Sequence, residues 1–192
     1  MNNKDDAMIK GVKLPHRRSE LIVNILDLMD GEYQEREWIE KKKEKRGEVS
    51  FGDEFYFCVE MFDDQNMFEA VEEQRMPYDD IGWSLKSKKE AEVLYEIAKP
   101  LRWLSHNCHY NQEFLESKEL YDLREESGKA FGVFMENEKE NKEFCEFIMG
   151  IIKNEKRATE EELKGKEGYE GILEYIKLCE RRNKRIRESR GK

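Results

Sequence analysis

Apolar residues recur at helical spacing along most of this chain and seldom alternate as a half-buried strand would. Leu21, Ile22, Ile25, Leu26 and Met29 make one stripe over two turns. Pro15 suits the first turn of that helix, where its missing N–H is not needed. Asp30-Gly31 predicts the end of the helix, with Gly31 as a left-handed C-cap. Tyr33, Trp38 and Ile39 predict a short second helix that runs into the basic cluster Lys41 to Arg46. The run from Phe55 to Phe62 fits a buried strand or a buried helix, and Asp53 ahead of it is a candidate N-cap that tips the reading towards helix. Asp63-Asp64-Gln65-Asn66 predicts a turn, and Glu69 to Arg75 a polar helix. Met76 to Asp80 predicts a loop, because Pro77 pushes Met76 towards extended geometry. Ile81 to Leu85 predicts a short extended piece.

Ser87-Lys88-Lys89-Glu90 is a capping box, and Leu94, Ile97, Ala98, Leu101 and Leu104 share a face after it. Pro100 predicts a kink or an early end to that helix. Asn107 to Asn111 is a polar break. Ser117 is placed to cap a further helix carrying Leu120, Leu123, Phe131 and Phe134. Phe144, Phe147, Ile148, Ile151 and Ile152 make the clearest amphipathic stripe. Thr159-Glu160-Glu161-Glu162 is a second capping box. Gly165, Gly168 and Gly171 weaken the helix after it by about 1 kcal/mol each against Ala. Tyr169, Ile172, Leu173 and Ile176 still give it a face. The pattern therefore predicts a mainly α, single-domain fold of six or seven helices with little or no β-structure. The expected division is a disordered N-terminus over 1–13, a helical core over 14–136, a helical C-terminal extension over 137–180 and a basic tail over 181–192.

Charge adds an asymmetry. The chain has 35 Lys and Arg against 44 Asp and Glu, a formal charge of −9. The tail 181–192 alone carries +6, which leaves −15 on the other 180 residues. No apolar run approaches the roughly 20 residues a membrane span needs. Asp5 and Asp6 interrupt the N-terminus and no apolar stretch follows, so no secretory signal is expected. The four cysteines are widely spaced, with no C-x-x-C pair, and suit a reducing cytoplasm. Cys58, Cys145 and Cys179 lie in apolar stretches and read as small buried hydrophobes.

One set of short patterns carries a resemblance. These are Lys13-Leu14-Pro15-His16-Arg17-Arg18 with Leu21, Tyr33-Gln34 with Trp38, Phe62-Asp63-Asp64, and Ile81-Gly82-Trp83-Ser84-Leu85 leading into Glu90-Ala91. Over residues 13–135 the chain resembles a family of small acidic bacterial proteins, some of them immunity partners of polymorphic toxins. The resemblance implies a mostly helical single domain in a bacterial cytoplasm, and no mechanism.

Candidate chemistry is sparse. His106, Cys108 and His109 lie together, but a structural zinc site needs four ligands and no second Cys/His pair at metal spacing exists, so no metal or other cofactor is expected. Arg102 and His109 are spaced like the R-x4–6-H signature of the HEPN ribonucleases. The resemblance implies an imidazole that takes the 2′-OH proton and a guanidinium that stabilises the phosphorane, although Trp103 stands where that family has a polar residue. No Gly-rich phosphate loop and no G-x-S-x-G elbow appears. The tail 181–192 offers counterion-release binding to nucleic acid, opposed by the acidic body. Asp63, Asp64, Tyr78, Asp79, Asp80 and Trp83 form an aromatic-and-acid set suited to a partner interface; the plainer reading makes it a packing turn with Trp83 in the core. The leading expectation is a non-enzymatic, cytoplasmic protein-binding module, of immunity type, whose acidic surface masks a basic partner such as a toxin nuclease. The alternatives are a HEPN-like ribonuclease using Arg102 and His109, and a nucleic-acid-associated protein acting through its tail.

Overall fold

The computed structural model describes residues 11–40, 53–107 and 112–190. Nine α-helices lie among the described residues: α1 (Pro15–Met29), α2 (Gly31–Tyr33), α3 (Asp53–Asp63), α4 (Met67–Glu72), α5 (Lys88–Asn107), α6 (Gln112–Glu116), α7 (Lys118–Glu138), α8 (Lys142–Asn154) and α9 (Gly168–Arg190). A π-helical stretch, Gln34–Glu40, continues α2, and a single 3-10 turn spans Tyr78–Asp80. Seven of the helical segments reach seven residues or more, as the apolar periodicity predicts. The sole β feature among the described residues is an isolated bridge between Ile81 and Leu85. The ambiguous run 55–62 is helical, and α3 begins at Asp53 itself.

Helix α7 is the axis of the body. It packs against α1, α5 and α9, while α8 lies on α9, and α3 and α4 close over α1 and α5. Its inward residues Leu120, Leu123, Phe131 and Phe134 meet Leu21, Ile22 and Ile25 of α1, Leu94, Ile97 and Leu101 of α5, and Ile172 and Tyr175 of α9 in one core cluster, all but inaccessible to water. Each such side chain contributes about 1.5–3 kcal/mol on burial. Ser117 caps α7 as expected, its oxygen accepting from the Leu120 N–H at 3.2 Å. Cys58, Cys145 and Cys179 are buried, as their apolar settings predict. Cys108 lies outside the described residues.

Four local expectations are corrected. Gly31 is no C-cap: Asp30 closes α1 with φ −94°, and its carboxylate accepts from the Tyr33 N–H at 3.1 Å to start α2. Glycine fits at 31 for another reason, since a Cβ there would stand 2.5 Å from Asn183 Oδ1 and 3.0 Å from Arg124 Cζ and one of those side chains would have to shift. Pro100 does not end α5, which continues to Asn107. The interior proline costs about 3 kcal/mol, and burial of Leu94, Ile97, Leu101 and Leu104 on both sides of it offsets that. The second capping box closes, with Thr159 N–H to Glu162 Oε2 at 2.9 Å and Glu162 N–H to Thr159 Oγ1 at 3.2 Å. Turns follow it as far as Gly165, because Lys164 and Gly165 both adopt positive φ, and the predicted helix with Ile172 and Ile176 on its buried face starts only at Gly168. Phe147, placed on the apolar stripe of α8, is 51% exposed; the buried line of that helix runs through Cys145, Ile148, Met149 and Ile152 instead.

A buried ionic node ties α1, α5 and α7 together. Arg18 donates through Nε to Glu138 at 2.6 Å, through both Nη atoms to Glu90 at 2.8 and 2.7 Å, and to the Ser84 carbonyl at 3.0 Å. Lys86 Nζ stands 2.6 Å from Glu138, and the Asn137 amide donates to Glu90 at 2.7 Å. The capping-box glutamate thus has a second duty. It accepts from Ser87's neighbour, the Lys86 N–H, at 2.5 Å while pairing with Arg18. Burial alone would lower the Arg18 pKa, yet Glu90 and Glu138 outweigh it and hold the guanidinium above its ordinary value.

Candidate functional site

Residues 76–85 form a pinned loop on the surface. The Asp80 carbonyl accepts from the N–H groups of Trp83, Ser84 and Leu85 at 3.0–3.2 Å, and Gly82 N–H donates to the Leu85 carbonyl at 2.8 Å. Gly82 has φ +89°, which a side chain would strain. The carbonyls of Gly82 and Trp83 accept from Lys13 and Leu14 N–H at 3.0 and 2.9 Å. Leu85 and Ser84 are buried beneath, while Tyr78 and Trp83 are 40% and 47% exposed. Trp83 is therefore outside the core. Lys13 Nζ stands 4.2 Å from its ring centroid, and the Tyr78 hydroxyl donates to Glu92 at 3.4 Å.

The structure brings this loop beside the turn after α3. Arg17 donates to the Asp64 carbonyl at 3.3 Å, and its charge acts on Asp80. Ser84 Oγ stands 3.5 Å from Gln65 Oε1. Burial raises the Asp80 carboxyl above its ordinary range, against the pull of Arg17. Asp63, Asp64 and Asp79 are exposed. The six residues read from the sequence thus sit on this loop and on the neighbouring end of α3 with the turn after it, with Lys13, Arg17 and Arg75 among the acids.

The other candidates fare differently. Arg102 pairs with Glu72 across α4 and α5. His106 Nδ1 lies 2.9 Å from the Arg102 carbonyl on an exposed helix end. His109 lies outside the described residues, so the Arg102 and His109 pairing has no geometry here. Among the described residues no group of three or more His, Cys, Asp or Glu is placed to hold a metal ion. None of the described helices is long and apolar enough to cross a membrane. Residues 181–190 of the basic tail are the last turns of α9. Arg182 is buried there, donating to Glu162 at 2.6 Å and to the Arg157 carbonyl at 2.8 Å, and Arg190 meets Glu35 at 2.9 Å.

The sequence reading missed a cavity of about 660 Å³ between α7 and α9. Met29, Tyr121, Gly128, Ile176 and Cys179 line it together with Arg124, while Lys129, Lys184 and Arg187 stand among acids at its rim. Arg124 is fully buried. Its Nε donates to Gln34 Oε1 at 2.8 Å, but neither Nη1 nor Nη2 has a hydrogen-bond partner among the described residues, and neither is open to water. Glu35 comes no closer than 4.0 Å and is engaged by Arg190. Desolvation therefore lowers the Arg124 pKa to about 10 despite Glu35. A signal for this residue was present. Arg124 falls on the apolar face of α7 marked by Leu120, Leu123 and Phe131, as Arg18 does on α1.

Comparison of the chain with models of protein families, with curated proteins and with solved structures returned no match.

Proposed function

We propose that this protein is a non-enzymatic, cytoplasmic protein-binding module that engages a basic partner through the loops bearing Asp63, Asp64, Tyr78, Asp79, Asp80 and Trp83. In its most concrete form it is an immunity-type protein that covers the active site of a toxin nuclease. The observation that carries this reading is the half-exposed pair Tyr78 and Trp83 on a loop fixed by backbone hydrogen bonds. Large aromatic rings held in place lose little conformational freedom on binding and dominate interface energetics. The surrounding carboxylates, on a body carrying −15 without its tail, steer a cationic surface towards the loop.

The test compares the tagged full-length chain with a Tyr78→Ala/Trp83→Ala double variant in pull-downs at low and moderate salt. One stoichiometric basic protein, weakened by salt and lost in the double variant, supports the reading. Retention of the same protein by the double variant overturns it. So does recovery of only RNA or ribosomal proteins that disappear when residues 181–192 are deleted, which would move the function to the tail.

A further inference from the structure

We propose that the cleft over α1 between Phe57 and Phe147 takes an apolar side chain of a basic amphipathic helix from a partner protein, with Glu60, Glu143 and Glu146 meeting the cations of that helix. Phe57 on α3 and Phe147 on α8 are 53% and 51% exposed, and they line one cleft of about 210 Å³. Its floor is α1, where Val23 is half-buried and Glu20 meets His16 at 2.9 Å. A single exposed phenylalanine is ordinary, but two on separate helices that border one cleft make a contiguous apolar surface. On α8, Phe144 and Ile151 lie three residues before and four after Phe147, on the same face, and both are only half-buried. The ring centroids of Phe144 and Phe147 are 5.9 Å apart. The apolar stripe of α8 is thus wider than the strip that packing covers.

The charges around the cleft define its occupant. Helix α3 carries no Lys or Arg, and its Glu60 is one turn from Phe57. Glu143 is one turn from Phe147, and Glu146 is next to it. All three carboxylates are exposed and pair with no cation among the described residues. The cations nearby are engaged or outnumbered: Arg17 donates to the Asp64 carbonyl, Lys153 stands 3.6 Å from Glu167, and Lys142 sits beside Glu143 at the start of α8. An apolar anchor flanked by Lys or Arg on a helix matches such a surface. Burial of the rings supplies affinity, and the acids steer the encounter and set the orientation. A second copy of the chain fits poorly, since a two-fold contact would set these carboxylates against their own images at a formal charge of −9 per copy. An anionic lipid surface is repelled for the same reason. The cleft uses none of Asp63, Asp64, Tyr78, Asp79, Asp80 and Trp83, so its assignment does not rest on the interface proposed at those residues.

The experiment is fluorescence anisotropy of a labelled helical peptide of about four turns, Leu on one face and Lys on the other, titrated with the full-length chain. A Leu/Glu peptide of the same pattern is run beside it. The Leu/Lys peptide is expected to bind, more weakly as salt is raised, and the Leu/Glu peptide is expected not to bind. Phe57→Ser/Phe147→Ser should weaken binding at least about tenfold, as loss of aromatic anchors does. Glu143→Lys/Glu146→Lys keeps both rings and changes exposed positions alone; it should weaken binding about tenfold at low salt and less at high salt. Trp103→Ser removes a ring that is 42% exposed on α5, outside the cleft, and should bind as wild type does. Unchanged binding by Phe57→Ser/Phe147→Ser overturns the proposal, because it leaves only diffuse attraction to an acidic surface. Where thermal melts show that this variant has lost its fold, the glutamate variant decides, and unchanged binding there at low salt overturns the proposal. Equal binding of the Leu/Glu peptide, or a Kd for the Leu/Lys peptide weaker than about 1 mM, overturns it too. A wild-type dimer that Phe57→Ser/Phe147→Ser turns into a monomer in sedimentation would give the cleft to a second copy and overturn the assigned occupant.

Discussion

Arg18 and Arg124 are both buried arginines on the core faces of their helices, yet the fold treats them in opposite ways. Arg18 makes four hydrogen bonds to Glu138, Glu90 and the Ser84 carbonyl, and its pKa rises. Arg124 makes one, to Gln34, and its pKa falls to about 10. The first is a finished node, in which two carboxylates on different helices meet one cation and fix how α1, α5 and α7 sit together. The second is an unfinished one, and it is found where two helices part to leave a cavity. Burial by itself does not make a charge structural; the number of donors answered by the fold does.

That contrast can be broken by mutation. Arg18→Met should be the most damaging change, because it leaves Glu90 and Glu138 buried against Lys86 and Asn137 alone. The expected loss is about 3–5 kcal/mol in urea unfolding, and a loss below about 1 kcal/mol would show that the node is not a structural tie. Gly31→Ala should come next, at about 1–3 kcal/mol. Its new Cβ meets Asn183 and presses on the Arg124 guanidinium, so stability should fall. If alanine is tolerated without loss, Asn183 and Arg124 yield to a Cβ at position 31 at no cost.

A third test uses pH. Burial alone would raise the Glu138 carboxyl, but Lys86 and Arg18 hold it below its ordinary value of 4.5. A depressed carboxyl stabilises the fold above its unfolded pKa, and that stabilisation drains away as pH falls through the lower, folded value. Unfolding followed from pH 6 downwards should therefore show a flatter acid limb in Glu138→Gln than in wild type, whatever the variant's stability at neutral pH. Parallel limbs would remove Glu138 from the acid response. Arg124→Met should have the smallest effect, within about 1 kcal/mol of wild type or slightly stabilising, since it removes a charge that the fold does not answer. A loss as large as that of Arg18→Met would show the two arginines to be alike.

The helical class, the first-turn Pro15, the Ser117 cap and the buried thiols were legible because each depends on residues within a turn or two of each other. Gly31 was misread because its requirement comes from Asn183, far along the chain. Pro100 does not bring the early end that was one of its two readings, because packing on α7 overrides a local penalty. Phe147 follows the apolar period of its own helix, yet the partner α9 covers a narrower strip. The loop residues Tyr78 and Trp83 were singled out from type alone, and it took the fold to place Asp63 and Asp64 beside them through Arg17. Arg124 was visible as a charge on an apolar face. Whether such a charge is answered depends on side chains from other helices, and here Gln34 answers only one of its donors.

Asn183 carries a consequence for the order of assembly. Its amide nitrogen donates to the Met29 carbonyl at 2.8 Å, and its oxygen accepts from the Gly31 N–H at 3.1 Å, across 152 residues. Those are the backbone groups left open where α1 stops and α2 starts. During translation at about 5–20 residues per second, the gap between Gly31 and Asn183 lasts roughly 8–30 s. For that interval the Met29 carbonyl and the Gly31 N–H wait for their partner, so the junction of α1 and α2 is completed only after α9 arrives.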